Sequence, residues 1–538
     1  MALPQFPSRR SAWVLEITQW LATMGQPILL ATVAASVCLL GGRGLVLLQG
    51  LELAAYDHFV RLRPALEPDD RLLIVGMTEA DVQSRQEWPI ADQTLADAIA
   101  LLLAAEPRAI GLDIFRDIPI GAGREALLTA LNSSDRVFTV CKISSGDNSG
   151  VAPPPNALPE QVGFSDLVVD RGGILRRNLI VAAPPNGANS TGTHLCNTSG
   201  NLLFSLGLQL ALAYLRQEGI ELEQTETGEL RLGDTVIPRL EGNMGGYQGV
   251  DTAGYQIMLN YRGVTEAIPQ VSLGDLLAGA VPPEQIRDRI VLIGATTPEA
   301  KDNFYTPYSG SLDDSQTLPG VIIHAQATSQ LLSAVLDARS QIWSWGMWGE
   351  SAWILLWGLT GAALAGYVRR PLWFSLGAIA LGGSLYGISF LLFLEGGWIP
   401  LVPAALNGAI AAGGVLLVDR FNRSAYGQAV YRQVKNFLRI KIEIDEEQVI
   451  TQVAEIAETD YFNQLQQRAE DFRRHLKTPV NQRPPSPLPS APSPAEDKDS
   501  ETYTEDYLET LRQEAQRLKS PLPKDLSASQ EPGTARDE

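Results

Sequence analysis

A chain of 538 residues that is 45% hydrophobic and 19% charged has room for several domains and is apolar for a soluble protein, which points to membrane-embedded segments. Its net charge of −19, with no long Lys/Arg block, excludes non-specific affinity for nucleic-acid phosphates, so no nucleic acid is expected as a partner. Three cysteines without CxxC spacing encode neither a disulfide scaffold nor a zinc ribbon. Cys141 and Cys196 admit one optional bridge; because Cys141 lies in strand-like sequence that reads as core, free thiols are the preferred reading.

Residues 1–20, with Arg9 and Arg10, read as a cytoplasmic N-terminus. The apolar run within 21–49 has the length of a membrane span, about 20 residues for about 30 Å of hydrocarbon. It is interrupted late by Arg43, whose long side chain is expected to snorkel to the outer interface. A long leading stretch and no clear A-x-A site favour an uncleaved anchor over a signal peptide.

Residues 50–345 alternate strand-like and helix-like stretches. "RLLIVGMTE" (Arg71 to Glu79), "DQTLADAIALLLAAE" (Asp92 to Glu106) and "RAIGLDIF" (Arg108 to Phe115) predict a βαβ unit. A helix at Arg124 to Leu131, a strand at Arg136 to Ile143, and the strand "RIVLIGATT" (Arg289 to Thr297) followed by helical "VIIHAQATSQLLSAVL" repeat the pattern. Strands apolar on both faces predict an α/β domain with a mostly parallel sheet. "GFSDLVVD" and "GILRRNLIV", flanking "RGG", read as a hairpin, and with "YQIMLNYR" they predict an antiparallel extension. "GAGREA" (Gly121 to Ala126) matches GxGxxA, but "RDIPI" separates it from the strand, so a turn is favoured over a pyrophosphate cradle.

Three further apolar runs, 351–368, 371–394 and 398–418, predict α-helical transmembrane segments. Arg369 and Arg370, and Arg420 and Arg423, fall on the side of Arg9 and Arg10, whereas the turn at Glu395 carries no base. The positive-inside rule then places both termini in the cytoplasm and the 50–345 domain outside, in a multi-pass protein of the plasma (inner) membrane. Trp343, Trp345, Trp348 and Trp353 at the return point suit an interfacial belt. Beyond them, 419–476 reads as a cytoplasmic adaptor segment and Pro/Ser-rich 477–538 as mostly disordered. No kinase motif is present, and His475 reads as a solvated helix-end cation. Residues 438–472 join the strand-like "LRIKIEID" to an amphipathic helix and are expected to dock in a homodimer or on a separate cytoplasmic effector.

Ligands of open α/β sheets bind beyond the carboxyl ends of the strands. Thr78, Glu79, Asp113, Asp117, Thr296, Thr297, Lys301 and Asp302 follow predicted strands, and His324 in "GVIIHAQ" has the reach to join them. They are candidate ligand-binding residues; the competing role for each is capping a helix, closing a loop or sitting satisfied in the core. No catalytic residue, metal ligand or cofactor is assigned.

Taken together, "LELAAYDHFVRLRP", "WPIADQTLADAI", "IGLDIFRDIP", "GFSDLVVDRGGILRRN", "GYQIMLNYRG", "DRIVLIGATTPEAKDNFYTP" and "PGVIIHAQATSQLLSAVLDAR" resemble, in order from about Leu51 to Ile342, the second type of the CHASE family, the cyclase/histidine-kinase-associated extracellular sensory domains. The resemblance implies a bacterial extracytoplasmic sensor input, usually joined to a kinase or cyclase; none is recognisable after Val418 in this chain. The expected function is a membrane sensor that recognises an extracytoplasmic solute or envelope protein and passes the signal to a separate cytoplasmic partner. The alternative is a membrane-tethered hydrolase or transferase using the acidic strand ends.

Overall fold

The computed structural model describes residues 26–44, 46–145, 148–185, 193–310 and 317–423, with Gln433. The chain divides into two compact units, Met1–Arg432 and Gln433–Glu538, and the elements described belong to the first. The expected N-terminus 1–20, the docking segment 438–472 and the tail 477–538 lie outside the described residues.

In chain order, α1 (Gln26–Gly44) and α2 (Gln49–Leu62) lead to β1 (Leu72–Met77). α3 (Glu79–Arg85) and α4 (Asp92–Ala104) connect it to β2 (Ala109–Asp113), and α5 (Arg124–Asn132) leads to β3 (Val137–Cys141) and β4 (Val162–Phe164). β5 (Arg177–Ala182), β6 (Leu203–Phe204), α6 (Leu206–Gln217), β7 (Leu222–Gln224), β8 (Leu230–Leu232), β9 (Thr235–Ile237) and β10 (Tyr255–Met258) form the middle of the domain. It closes with β11 (Gln270–Ser272), α7 (Leu273–Leu277), β12 (Ile290–Ala295), β13 (Asn303–Phe304), β14 (Leu318–Pro319) and α8 (Gly320–Leu336). Three apolar helices complete the described chain: α9 (Met347–Tyr367), α10 (Pro371–Leu394) and α11 (Val402–Arg423).

The core is a six-stranded sheet in the order β11-β1-β12-β2-β3-β4, with every neighbouring pair parallel. Both faces of its strands are apolar because both are covered. Leu73, Val75, Ile110, Leu112 and Ile293 pack against Leu95 and Ile99 of α4, Leu127 of α5 and Leu276 of α7. The alternate positions Leu72, Ile74, Phe138 and Leu292 pack against Leu210 of α6 and Val321 and Leu332 of α8. The helices sit so close that a Cβ on Gly294 would lie 2.5 Å from the Val321 Cβ, which explains a glycine in the centre of β12. In "GAGREA", Gly121 and Gly123 have positive φ and form the turn that starts α5.

The antiparallel extension is the sheet β10-β5-β6, but the expected hairpin is not its basis. β4 pairs parallel with β3, while β5 pairs antiparallel with β10. Only the Asp170–Gly173 turn and the bridge between Val168 and Arg177 remain of the hairpin. The segment between β4 and β5 is therefore a connector between two sheets. A second correction concerns the thiols: Cys141, ending β3, is bridged to Cys196, 55 positions later, with 6.4 Å between the Cα atoms. The intervening chain folds back so that both sulfurs enter one small core with Phe164 and Leu203, a proximity that spacing alone cannot encode.

Of the apolar helices, α10 and the Val402–Phe421 part of α11 are long and apolar enough to cross a membrane; α1 and α2 meet that standard only as one bent pair. The single span expected over 21–49 is interrupted where α1 ends at Gly44 and α2 begins at Gln49. Arg43 does not run free to an interface. It forms an ion pair with Glu350 of α9 and donates to the Gly245 carbonyl oxygen at 2.5 Å. Asn407 of α11 donates from Nδ2 to Ser36 Oγ of α1 at 2.9 Å and to the Ile354 carbonyl of α9 at 2.7 Å, so one buried amide ties three helices. Trp398, between α10 and α11, packs on Tyr56 of α2 and Tyr247 of the α/β domain, seating the helices on it.

Intact-mass measurement of the full-length protein without reductant should give a value about 2 Da lower than after reduction of the Cys141–Cys196 bridge. Replacing both cysteines by serine should cost about 2–4 kcal/mol, seen as a lower unfolding midpoint. Equal masses with and without reductant would contradict the bridge.

Candidate functional site

The parallel sheet points the carboxyl ends of β1, β12, β2, β3 and β4 to one side, and a cavity of about 590 Å³ opens there. The strand ends and the connections leaving them supply its lining: Asp113 and Phe115 from β2, Lys142 from β3, Ser165 and Asp166 from β4, and Lys301 and Asp302 from β12. α8 brings His324 from below, held in place by the apolar flanks Ile322 and Ile323. Trp88, Phe115 and Phe304 add aromatic rings to the lining.

Of the candidates from sequence, Asp113, Lys301, Asp302 and His324 therefore meet in one cavity. The others do local work. Thr78 caps α3: its Oγ1 accepts from the Asp81 N–H at 3.2 Å, while Asp81 accepts in return from the Thr78 N–H at 2.8 Å. Glu79 accepts from Thr297 Oγ1 at 2.7 Å, and Thr296 donates to the Met77 carbonyl at 3.2 Å, which closes the loops after β1 and β12. Asp117 offers its carbonyl to Arg124 at 3.2 Å at the start of α5. Lys142, Ser165, Asp166 and the three aromatics carry no comparable signal in the sequence. Asp166 does lie just beyond a strand, but that place is hidden because "GFSDLVVD" reads as half of a hairpin.

Three carboxyl groups surround one imidazole. His324 Nε2 stands 3.9 Å from Asp113 Oδ1, and the His324 ring interacts with the charges of Asp166 and Asp302 and with the backbone of Ser165. The Asp113 side chain is 7% exposed and accepts no hydrogen bond from any described residue. Burial pushes its carboxyl up to about 7. Burial also raises Asp302, with the Asp113 charge adding to it, and raises Asp166 against the opposing effects of the Ile143 N–H, which donates at 2.9 Å, and of Lys142. Burial holds His324 below the usual imidazole range, opposed by the nearby carboxylates. The site is thus acidic in composition and reluctant to hold its full negative charge unaided. Among the described residues no group of three or more His, Cys, Asp or Glu is placed to hold a metal ion.

A chain of buried ion pairs joins the connector after β4 to α2. Four residues after Asp166, Asp170 accepts from Arg176 Nη1 at 2.7 Å, Arg177 Nε at 2.8 Å and Tyr247 OH at 2.7 Å. Arg176 in turn donates from Nε and Nη2 to both oxygens of Asp57 on α2, each at 2.7 Å. All four charged side chains are buried.

An α/β domain seated on apolar helices, with a charged cavity at its strand ends, has the build of a sensory input domain. The family model of the CHASE2 domain matches residues 31–363, more than half of the chain, and the protein belongs to that family. The match runs from within α1 to within α9, so it includes the helices that flank the α/β domain. The CHASE2 domain is sensory rather than catalytic, which gives the chain a sensor role in general terms. No curated protein and no solved structure matches it.

Folding raises the Asp113 pKa from 3.8 to about 7. The folded state therefore favours the protonated acid, and this contribution to stability is complete below about pH 4 and lost as pH rises through about 7. The thermal midpoint of the full-length protein should fall more steeply between pH 5 and pH 8 than that of an Asp113→Asn variant. Parallel pH profiles would show that Asp113 does not titrate in this way.

Proposed function

We propose that this protein is a membrane-anchored, multi-pass, non-catalytic sensor. The cavity at the strand ends receives an extracytoplasmic solute, the Asp170–Arg176–Asp57 relay carries its occupancy to α2, and the membrane helices pass it to a separate cytoplasmic partner. The observation that carries this reading is the relay itself: a single buried guanidinium bridges the connector that lines the cavity and α2, whose Tyr56 packs on Phe393 of α10 and on Trp398. The Cys141–Cys196 bridge supports an extracytoplasmic site, since disulfides persist in oxidising compartments.

The orientation drawn from the basic flanks puts both termini in the cytoplasm of a plasma (inner) membrane protein. Reporters fused after Asp170 and after Glu395 should be extracytoplasmic and those after Tyr431 cytoplasmic; a cytoplasmic reporter at Asp170 would sink the sensor reading. The relay is tested without knowing the ligand. Filling the cavity by Ala300→Trp in the full-length protein should change hydrogen–deuterium exchange of α2 amides, and Asp57→Asn should abolish that response. Exchange in α2 that ignores the filled cavity would disprove the coupling.

A further inference from the structure

We infer that the cavity is built for a small organic ammonium ion, a primary amine with an apolar body, whose N–H groups are received by Asp113 and Asp302. This rests on reading the cavity as the input site and names the chemistry of the ligand that enters it.

Complementarity carries the argument. The three carboxyl groups come from three separate connections, after β2, β4 and β12, yet face one space. Asp113 is the telling member: its side chain is more than nine-tenths buried and lines an open cavity, yet it accepts no hydrogen bond from a described residue. Its carboxylate opens on the cavity, where the donors of a ligand can reach it. His324 Nε2, at 3.9 Å, is too distant for a hydrogen bond, and its burial disfavours the imidazolium that would otherwise supply the positive charge.

The remaining charges set the orientation. Lys301 is exposed, with a left-handed backbone at the end of its turn, and Lys142 is half-buried beside Asp166. The bases thus lie nearer to solvent than Asp113, and an anionic group carried to the depth of Asp113 would meet its carboxylate uncompensated. Trp88, Phe115 and Phe304 offer rings both to an apolar body and, by their quadrupoles, to the cation. An ammonium group also relieves the repulsion between Asp113 and Asp302 by giving each a partner, so the amine and the proton compete for the same carboxylates.

The test uses full-length protein in lipid nanodiscs, with empty nanodiscs as the blank, titrated calorimetrically with phenethylamine, 2-phenylethanol and 3-phenylpropionate. Phenethylamine alone should bind. Its affinity should rise about tenfold from pH 5.5 to pH 7.5 as the acids lose their protons, and fall about tenfold or more in Asp113→Asn and in Asp302→Asn. Glu79→Gln, outside the cavity, should bind as the parent does. Binding of the alcohol or the carboxylate instead, lost on Phe304→Ala, would overturn the amine assignment while keeping the cavity as the input. No binding by any probe, to protein whose unfolding remains cooperative, overturns it as well. Amine binding that depends on Asp113 but leaves α2 exchange unchanged would uphold the ligand class and remove the sensor reading beneath it.

Discussion

Arg176 is the constraint around which the described structure is arranged. Its guanidinium is buried, and an ion-sized charge withdrawn from water costs several kcal/mol unless its donors are met with good geometry. Here two donors are met by both oxygens of Asp57 in the bidentate arrangement that suits a guanidinium, and a third is met by Asp170. Asp170 is shared in turn with Arg177 and Tyr247. Because these partners come from α2, from the connector after β4 and from the loop before β10, they cannot be satisfied separately: α2 is registered against the α/β domain through them. Tyr247 also packs edge-on against Trp398, which extends the same registry to the turn between α10 and α11.

The cavity has a different origin, in strand order. β12 is formed late in the chain but lies between β1 and β2, and its loop brings Lys301 and Asp302 over the ends of strands laid down much earlier. A parallel sheet leaves no hairpin at that edge to fill the space, so the polar residues that end each strand line a hollow. Where a helix starts at once, as α3 does after β1, the strand-end residues Thr78 and Glu79 are taken up in capping and loop closure. Where the connection is longer, as after β2 and β4, Asp113 and Asp166 are left facing the cavity. The division between capping and cavity-lining residues thus reflects the length of each connection.

On the membrane side, the contacts are those that work without a hydrophobic difference between helix and lipid: small residues that admit close approach and buried amides that bond across helices. Gly361 of α9 lies against the backbone of Gly408 on α11, and Asn407 beside it bonds to α1 and α9. α10 is less embedded, with Leu385, Ser389 and Phe393 as its buried positions.

The amino-acid sequence by itself determined the elements whose signal is local. The two-faced apolar runs around Leu72–Met77 and Ile290–Ala295, the helical spacing of Asp92–Ala104 and the apolar lengths of α10 and α11 each depend on side chains a few positions apart. The parallel class of the sheet was legible in the same way, and with it the side on which a cavity would open. The tertiary structure alone decided everything that depends on distant partners. Cys141 meets Cys196 because the chain between them crosses into a second sheet, and "GFSDLVVD" leaves its apparent hairpin because β3 offers Val162–Phe164 a parallel partner. Asp113 and Asp302, like Thr78 and Glu79, are polar groups at or just beyond a strand end; only the path of the chain after them separates a cavity-facing carboxylate from a helix cap, and that path is set by packing across the whole sheet.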